Sequence, residues 1–161
     1  MGMNNEFGKA YIEWCRFRLM KQYWPRVEHC IFELTDEEVW WRQHETNNSV
    51  GNLVLHLTGN LGQFILCGVG GMNDTRNKEK EFSERQQIPK AELIRGLKQA
   101  LLAADETLSR LDAARLLETT TVQDRERRIF ELLGVVVDHF ALHCGQIIYI
   151  TKLKTGKDLK F

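Results

Sequence analysis

The sequence predicts an all-α protein, a four-helix bundle with one short extra helix and long connections. Long stretches carry apolar residues every three to four positions, the period of a helix with one buried face. Only two prolines, Pro25 and Pro89, punctuate 161 residues. Four such stretches are separated by polar segments, which is the pattern of a bundle with long connections. With no internal repeat and no internal boundary, residues 1–161 are expected to form a single domain large enough to bury a substantial core.

The first helix is expected from about Asn5 to Glu33, with Tyr11, Trp14, Cys15, Leu19 and Tyr23 on one stripe and a kink or break at Pro25. Thr35-Asp36-Glu37-Glu38 has the form of a capping box and opens a short helix through Trp41. A polar loop, Gln43 to Asn48, follows. Ser49 caps the second long helix, whose stripe is Leu53, His56, Leu57, Asn60, Leu61 and Phe64. Gly68-Val69-Gly70-Gly71 ends it. These glycines follow a helix and lack Gly-Lys-Ser/Thr, so they read as a C-cap and not as a phosphate loop.

Asn73 to Gln87 is charged and without apolar period, a long surface connection. Pro89 suits the first turn of a third helix through about Leu111, with Leu93, Leu97, Leu101 and Leu108 inward. Leu116 to Gln123, centred on Thr119-Thr120-Thr121-Val122, is β-branched and extended in character. Arg125, Arg127 and Arg128, interleaved with Asp124 and Glu126, read as the solvated start of the last helix, about Arg125 to Leu153. Its core residues are expected to be Ile129, Leu132, Leu133, Val136, Phe140, Ile147 and Ile150.

Lys+Arg and Asp+Glu both total 22, so the net charge is zero. That argues against nucleic acid as a partner, because gripping a phosphate backbone needs concentrated positive surface. The most apolar stretch, Leu132 to Ile150, is interrupted by Asp138, two histidines and Gln146, which speaks against a membrane partner. Cys15, Cys30, Cys67 and Cys144 make no Cys-x-x-Cys pair. They read as reduced thiols, and the cytoplasm is the expected location.

The chemistry-bearing residues are histidines. His139 and His143 stand four apart on an apolar helix, so both imidazoles leave one face. His56 lies on the apolar stripe of another helix. Three neutral imidazoles with vacant positions suit a divalent transition metal that activates a further ligand. Spacing alone leaves open the plainer reading, hydrogen-bonded core histidines. Asn60, one turn after His56, and Gln146, three residues after His143, are candidates to orient a water or substrate, or simply to satisfy buried polar groups. Asp138 and Cys144 adjoin His139 and His143, but neighbours on a helix point about 100° apart. Cys144 is therefore expected to be a buried structural thiol. Trp40 and Trp41 cannot both face one core, and one is expected at a pocket mouth or a dimer surface.

Asn48-Ser49-Val50-Gly51-Asn52-Leu53-Val54-Leu55-His56-Leu57, the following Gly59-Asn60, and His139-Phe140-Ala141-Leu142-His143-Cys144-Gly145-Gln146 together resemble the DinB/YfiT-like superfamily. More closely they are similar to a branch of it that carries Gly-Val-Gly-Gly and a C-terminal Gly-Gln-Ile-Ile-Tyr. The resemblance covers nearly the whole chain. It implies a four-helix bundle of up-down-down-up topology, often dimeric, holding nickel or zinc on three histidines that fall here at His56, His139 and His143. Characterised relatives are low-molecular-weight-thiol S-transferases and a mycothiol-dependent isomerase. The expectation is thus a homodimer acting on a small molecule. Its activity would be a metal-dependent S-transferase that activates a small thiol, or a hydrolase. The rival expectation is a metal-stabilised helical dimer without turnover.

Overall fold

The computed structural model describes residues 2–85 and 88–161. Helix α1 (Gly2–Phe17) continues through a π turn (Arg18–Tyr23) into α2 (Trp24–Glu33). Pro25 has no N–H to donate and its ring crowds the carbonyl one turn back, and the widened turn before it lets the helix run on without breaking. Cys15, Leu19 and Tyr23 are buried as predicted, but Trp14 is not. Cys15 takes the inward direction, about 100° away on the helix. Trp14 lies outside, stacked on Tyr11 with the Arg18 guanidinium over its ring.

The Thr35 capping box forms, with Thr35 Oγ1 accepting from the Glu38 amide and Glu38 Oε2 from the Thr35 amide. The turn it opens is 3-10 (Glu38–Trp40), shorter than the helix expected. Trp40 is buried, its indole N–H donating to Ile88 O at 3.0 Å and its ring lying on Gly51, where a Cβ would come within 2.9 Å of ring carbons. Trp41 is half-buried, with Lys154 Nζ 5.3 Å from its ring. The two tryptophans part company as predicted.

Ser49 caps α3 (Val50–Leu61), which runs through a second π turn (Gly62–Cys67) to the glycine turn. Leu53, His56, Leu57, Asn60, Leu61 and Phe64 are all buried. The stretch predicted as a plain surface connection holds a short helix, α4 (Lys78–Ser83), capped by Asn77; positions 86 and 87 lie outside the described residues. Helix α5 (Lys90–Ser109) follows Pro89 and buries Leu93, Leu97, Leu101 and Leu108.

The extended segment is a strand, β1 (Thr119–Val122), and its partner is a surprise. Arg125–Arg128, expected to start the last helix, is β2, antiparallel to β1 with Thr119 opposite Arg128. Gln123 and Asp124 turn the hairpin with φ of 55° and 57°, the left-handed geometry of a tight two-residue turn. The Arg128 amide then donates to Glu131 Oε2 and α6 (Ile129–Thr155) begins.

Side-chain contacts give the helix directions. Tyr11 donates to Phe130 O, Cys144 Sγ lies against Tyr23 O and His29 meets Phe161, so α1/α2 and α6 run parallel. Arg16 pairs with Asp105 and Lys90 Nζ reaches Leu34 O, so α5 runs against α1/α2. His56 meets His139 and Gly68 lies on Leu132, so α3 also opposes α6. The order is up-down-down-up. By length and composition, residues 50–67 and α6 are apolar enough to cross a membrane. In the bundle 61% of the first is buried, which accounts for its composition, but only 33% of the second. Val135, Leu142, Tyr149 and Leu153 of α6 stay exposed.

Candidate metal centre

The antiparallel contact of α3 and α6 brings His56, His139 and His143 together. His139 Nε2 lies 2.9 Å from His56 Nε2 and 3.1 Å from His143 Nε2, and one ligand atom of each histidine can be chosen so that all three lie within 4.8 Å of one another. The ring planes stand at 58° to 85° to each other, so the rings converge edge-on without stacking. His56 is 5% exposed and the other two are half-buried.

The partners of the outer nitrogens assign a tautomer to two of the three rings. His56 Nδ1 is 2.9 Å from Glu81 Oε2. Arg76 Nη2 approaches the same nitrogen at 3.0 Å while donating to Glu81 Oε2 at 2.9 Å and to His56 O at 3.4 Å. An ionised carboxylate can only accept, so Nδ1–H donates to Glu81 and the His56 Nε2 lone pair faces inward. His143 Nδ1 likewise donates to Gln146 Oε1 at 2.7 Å. His139 Nε2 then meets two inward lone pairs, and a hydrogen on it can satisfy only one of them. A cation satisfies all three. Ligands about 2.0–2.1 Å from a metal stand roughly 2.8–3.4 Å apart at right-angled to tetrahedral geometry. The contacts of 2.9 and 3.1 Å fall in that range, so the spacing of His139 from its two neighbours fits a divalent transition metal. His139 Nδ1 is buried with no partner among the described residues. No neighbour fixes its tautomer, in contrast to the other two.

Burial, and the proximity of His143, His56 and the Arg76 and Lys78 charges, lower the His139 pKa to about 4. Burial also lowers His143, against the Gln146 hydrogen bond, which raises it. Both rings therefore stay neutral through the physiological range, the state a metal ligand requires. Burial on its own would raise Glu81, but hydrogen bonds from Arg76 and His56 outweigh it and hold the carboxyl below the ordinary range.

Arg76 and Glu81 are the functional residues that sequence reasoning missed. Arg76 Nε donates to Glu81 Oε1 at 2.7 Å, with the two side chains only 4% and 10% exposed. Asn52, which completes the Ser49 capping box, also donates Nδ2–H to Glu81 O and so ties α4 to α3. Gly59, three residues after His56, makes room: a Cβ there would collide with Glu81 Oε1 and stand 3.0 Å from Arg76 Nε. Gln146 stands where the sequence placed it. Asn60 is buried but makes no hydrogen bond to any of the three histidines. Asp138 is exposed. Cys144 is 2% exposed, and burial pushes its thiol up to about 11, so it is the structural thiol expected.

Two cavities flank the cluster without being lined by its histidines. The larger, about 570 Å³, lies between α3 and the 72–88 segment behind Arg76 and Glu81. The smaller, about 360 Å³, lies between the 41–48 loop and α6, and Gln146 forms part of its wall.

A family model described as "Protein of unknown function (DUF1572)" matches residues 6–161. Among solved structures the chain is similar to the crystal structure of a DinB-like protein from Bacillus cereus ATCC 10987. The TM-score is 0.68 and the identity 17%, over 86% of this chain and 89% of that one. At that identity the likeness carries the fold, which is DinB-like. A comparison with curated proteins finds no match.

Proposed function

The chain belongs to the DUF1572 family, and from that premise we propose that it holds nickel or zinc on His56, His139 and His143 and acts as a metal-dependent transferase on a small thiol, with hydrolysis as the sister chemistry. The observation that carries the reading is the convergence of three Nε2 atoms, two of them with the hydrogen of the opposite ring nitrogen already committed to Glu81 and Gln146. A metal bound there supplies Lewis acidity, which lowers the pKa of a thiol or water at a remaining coordination position. Glu81 and Gln146 orient two rings, and Arg76 keeps Glu81 ionised and in place. Cys15, Cys30 and Cys144 are buried with thiols pushed up to about 11, so the chain offers no activated nucleophile of its own at these positions and the reacting thiol comes from solution.

Elemental analysis of the purified protein, followed by conjugation assays over a panel of small thiols and electrophiles, tests this directly. His143→Ala should lose metal and activity together, and Cys144→Ser should keep most of both. Activity that survives metal removal and dies with Cys144 would overturn the proposal. A second reading, a metal-stabilised dimer without turnover, draws on the uncovered apolar residues of α6 and on exposed Trp14. Light scattering tests the dimer in either reading. The two readings separate on a cobalt-loaded sample: azide or a thiol should change the spectrum of an open site and leave a closed structural one unaltered.

A further inference from the structure

The cavity between the 41–48 loop and α6 has a chemistry of its own. Arg42 lines it and makes no hydrogen bond or ion pair with any described residue; its Nη1 is shielded from solvent and unpartnered. Nε and Nη2, without a partner among the described residues and open to solvent, leave N–H groups for a ligand, and carboxylates are what the planar fork matches best. No aspartate or glutamate lines the cavity, and the second nearby cation, Lys154, is placed over Trp41, itself a lining residue. Glu45, on the same loop, is exposed and not in the wall. The rest of the wall is mixed: Gln146 and the lining residues of the 43–48 loop are polar, and Trp41, Leu53, Tyr149, Ile150 and Leu153 give flat or apolar surface. A volume of about 360 Å³ lies in the range of small-ligand sites.

We propose that this cavity binds a small organic carboxylate, its acid group on Arg42 and its apolar body between Trp41 and the α6 side chains. The wall includes Gln146, whose Oε1 accepts from His143, so an occupant abuts the residue that orients one ring of the cluster. The site does not depend on the metal reading, because none of its residues is a histidine of the cluster.

The test uses benzoate and its neutral isostere benzamide, titrated against the purified full-length protein and followed by the Trp41 indole signal in a ¹⁵N spectrum. Benzoate should shift that signal saturably and bind roughly ten- to a hundredfold more tightly than benzamide, the difference expected for a charge-assisted pair. R42Q should erase the preference. L153W, at a half-exposed position on the rim, should weaken both probes by filling the space, and it keeps the proposal testable if R42Q does not fold. Equal binding of the two probes, a preference that survives R42Q, or unaltered benzoate affinity in L153W would each overturn it. Because the readout is binding to the protein as purified, failure here and failure of the three-histidine metal site are distinguishable.

Discussion

Replacing Glu81 by alanine removes no metal ligand, yet it should weaken the site strongly. The carboxylate accepts from His56 Nδ1 at 2.9 Å and from Arg76 at 2.7 and 2.9 Å, with all three side chains 10% exposed or less. Its loss frees the His56 ring to rotate and to change tautomer. It also leaves the Arg76 cation buried, unneutralised and close to the proposed metal site. Outer partners of this kind are worth about 10- to 100-fold in metal affinity, or about 1.4–2.8 kcal/mol, and the orphaned cation argues for the upper end. The same deletion should cost the metal-free fold about 3–5 kcal/mol, the usual consequence of breaking a buried ion pair. For a chain of this size that lowers the melting temperature by on the order of 10 °C. Glu81→Gln keeps a carbonyl for His56 and loses the charge, so its zinc affinity should lie between wild type and Glu81→Ala. Chelator competition measures the affinities and calorimetry the melting points. A Glu81→Ala protein that melts early but binds zinc within about twofold of wild type would refute the reasoning, leaving Glu81 a purely structural residue.

Gly59→Ala should act on the same carboxylate from the other side. Alanine is worth about 1 kcal/mol over glycine in a helix interior, yet the new methyl collides with Glu81 Oε1, so zinc affinity should fall by chelator competition and the melting point should not rise. In the metal-free protein, His139 and His143 titrate below their unfolded values, so the unfolded chain takes up protons first and stability should drop as pH falls from about 6.5 toward 4. Above pH 6.5 this contribution is fully present, and urea midpoints at pH 7.5, 5.5 and 4.5 measure it. At pH 7.5 iodoacetamide should modify the half-buried Cys67 first and spare Cys15, Cys30 and Cys144, as peptide mass mapping would show; rapid modification of Cys144 would contradict its burial. Leu142→Glu, on the exposed side of α6, should shift a dimer to monomer by light scattering with little change in helix content.

The three histidines were legible because each lies on a helix whose period is written in its own neighbours, and one antiparallel contact then suffices to join them. Residues 73–85 gave no such signal. Glu81 and Arg76 look solvated in any local window, since nothing beside them in sequence is apolar in a regular pattern. Their burial is a tertiary fact: each is tolerable inside only because the other, together with His56, satisfies it. Asn52 and Gly59 were the available hints, a buried amide with a spare donor and a missing Cβ one turn from a candidate ligand, and both point at α4. The Arg125–Arg128 strand was hidden for a related reason. Its charged side chains show no alternation, and it is a strand because its backbone pairs with β1, whose β-branched run the sequence did disclose. In both places the misread segment is polar and takes its conformation from a partner distant in space or across a turn. The outer layer of a metal site is built largely of such polar residues. For that reason the candidate ligands of this protein could be read from one chain, and the residues that orient them required the fold.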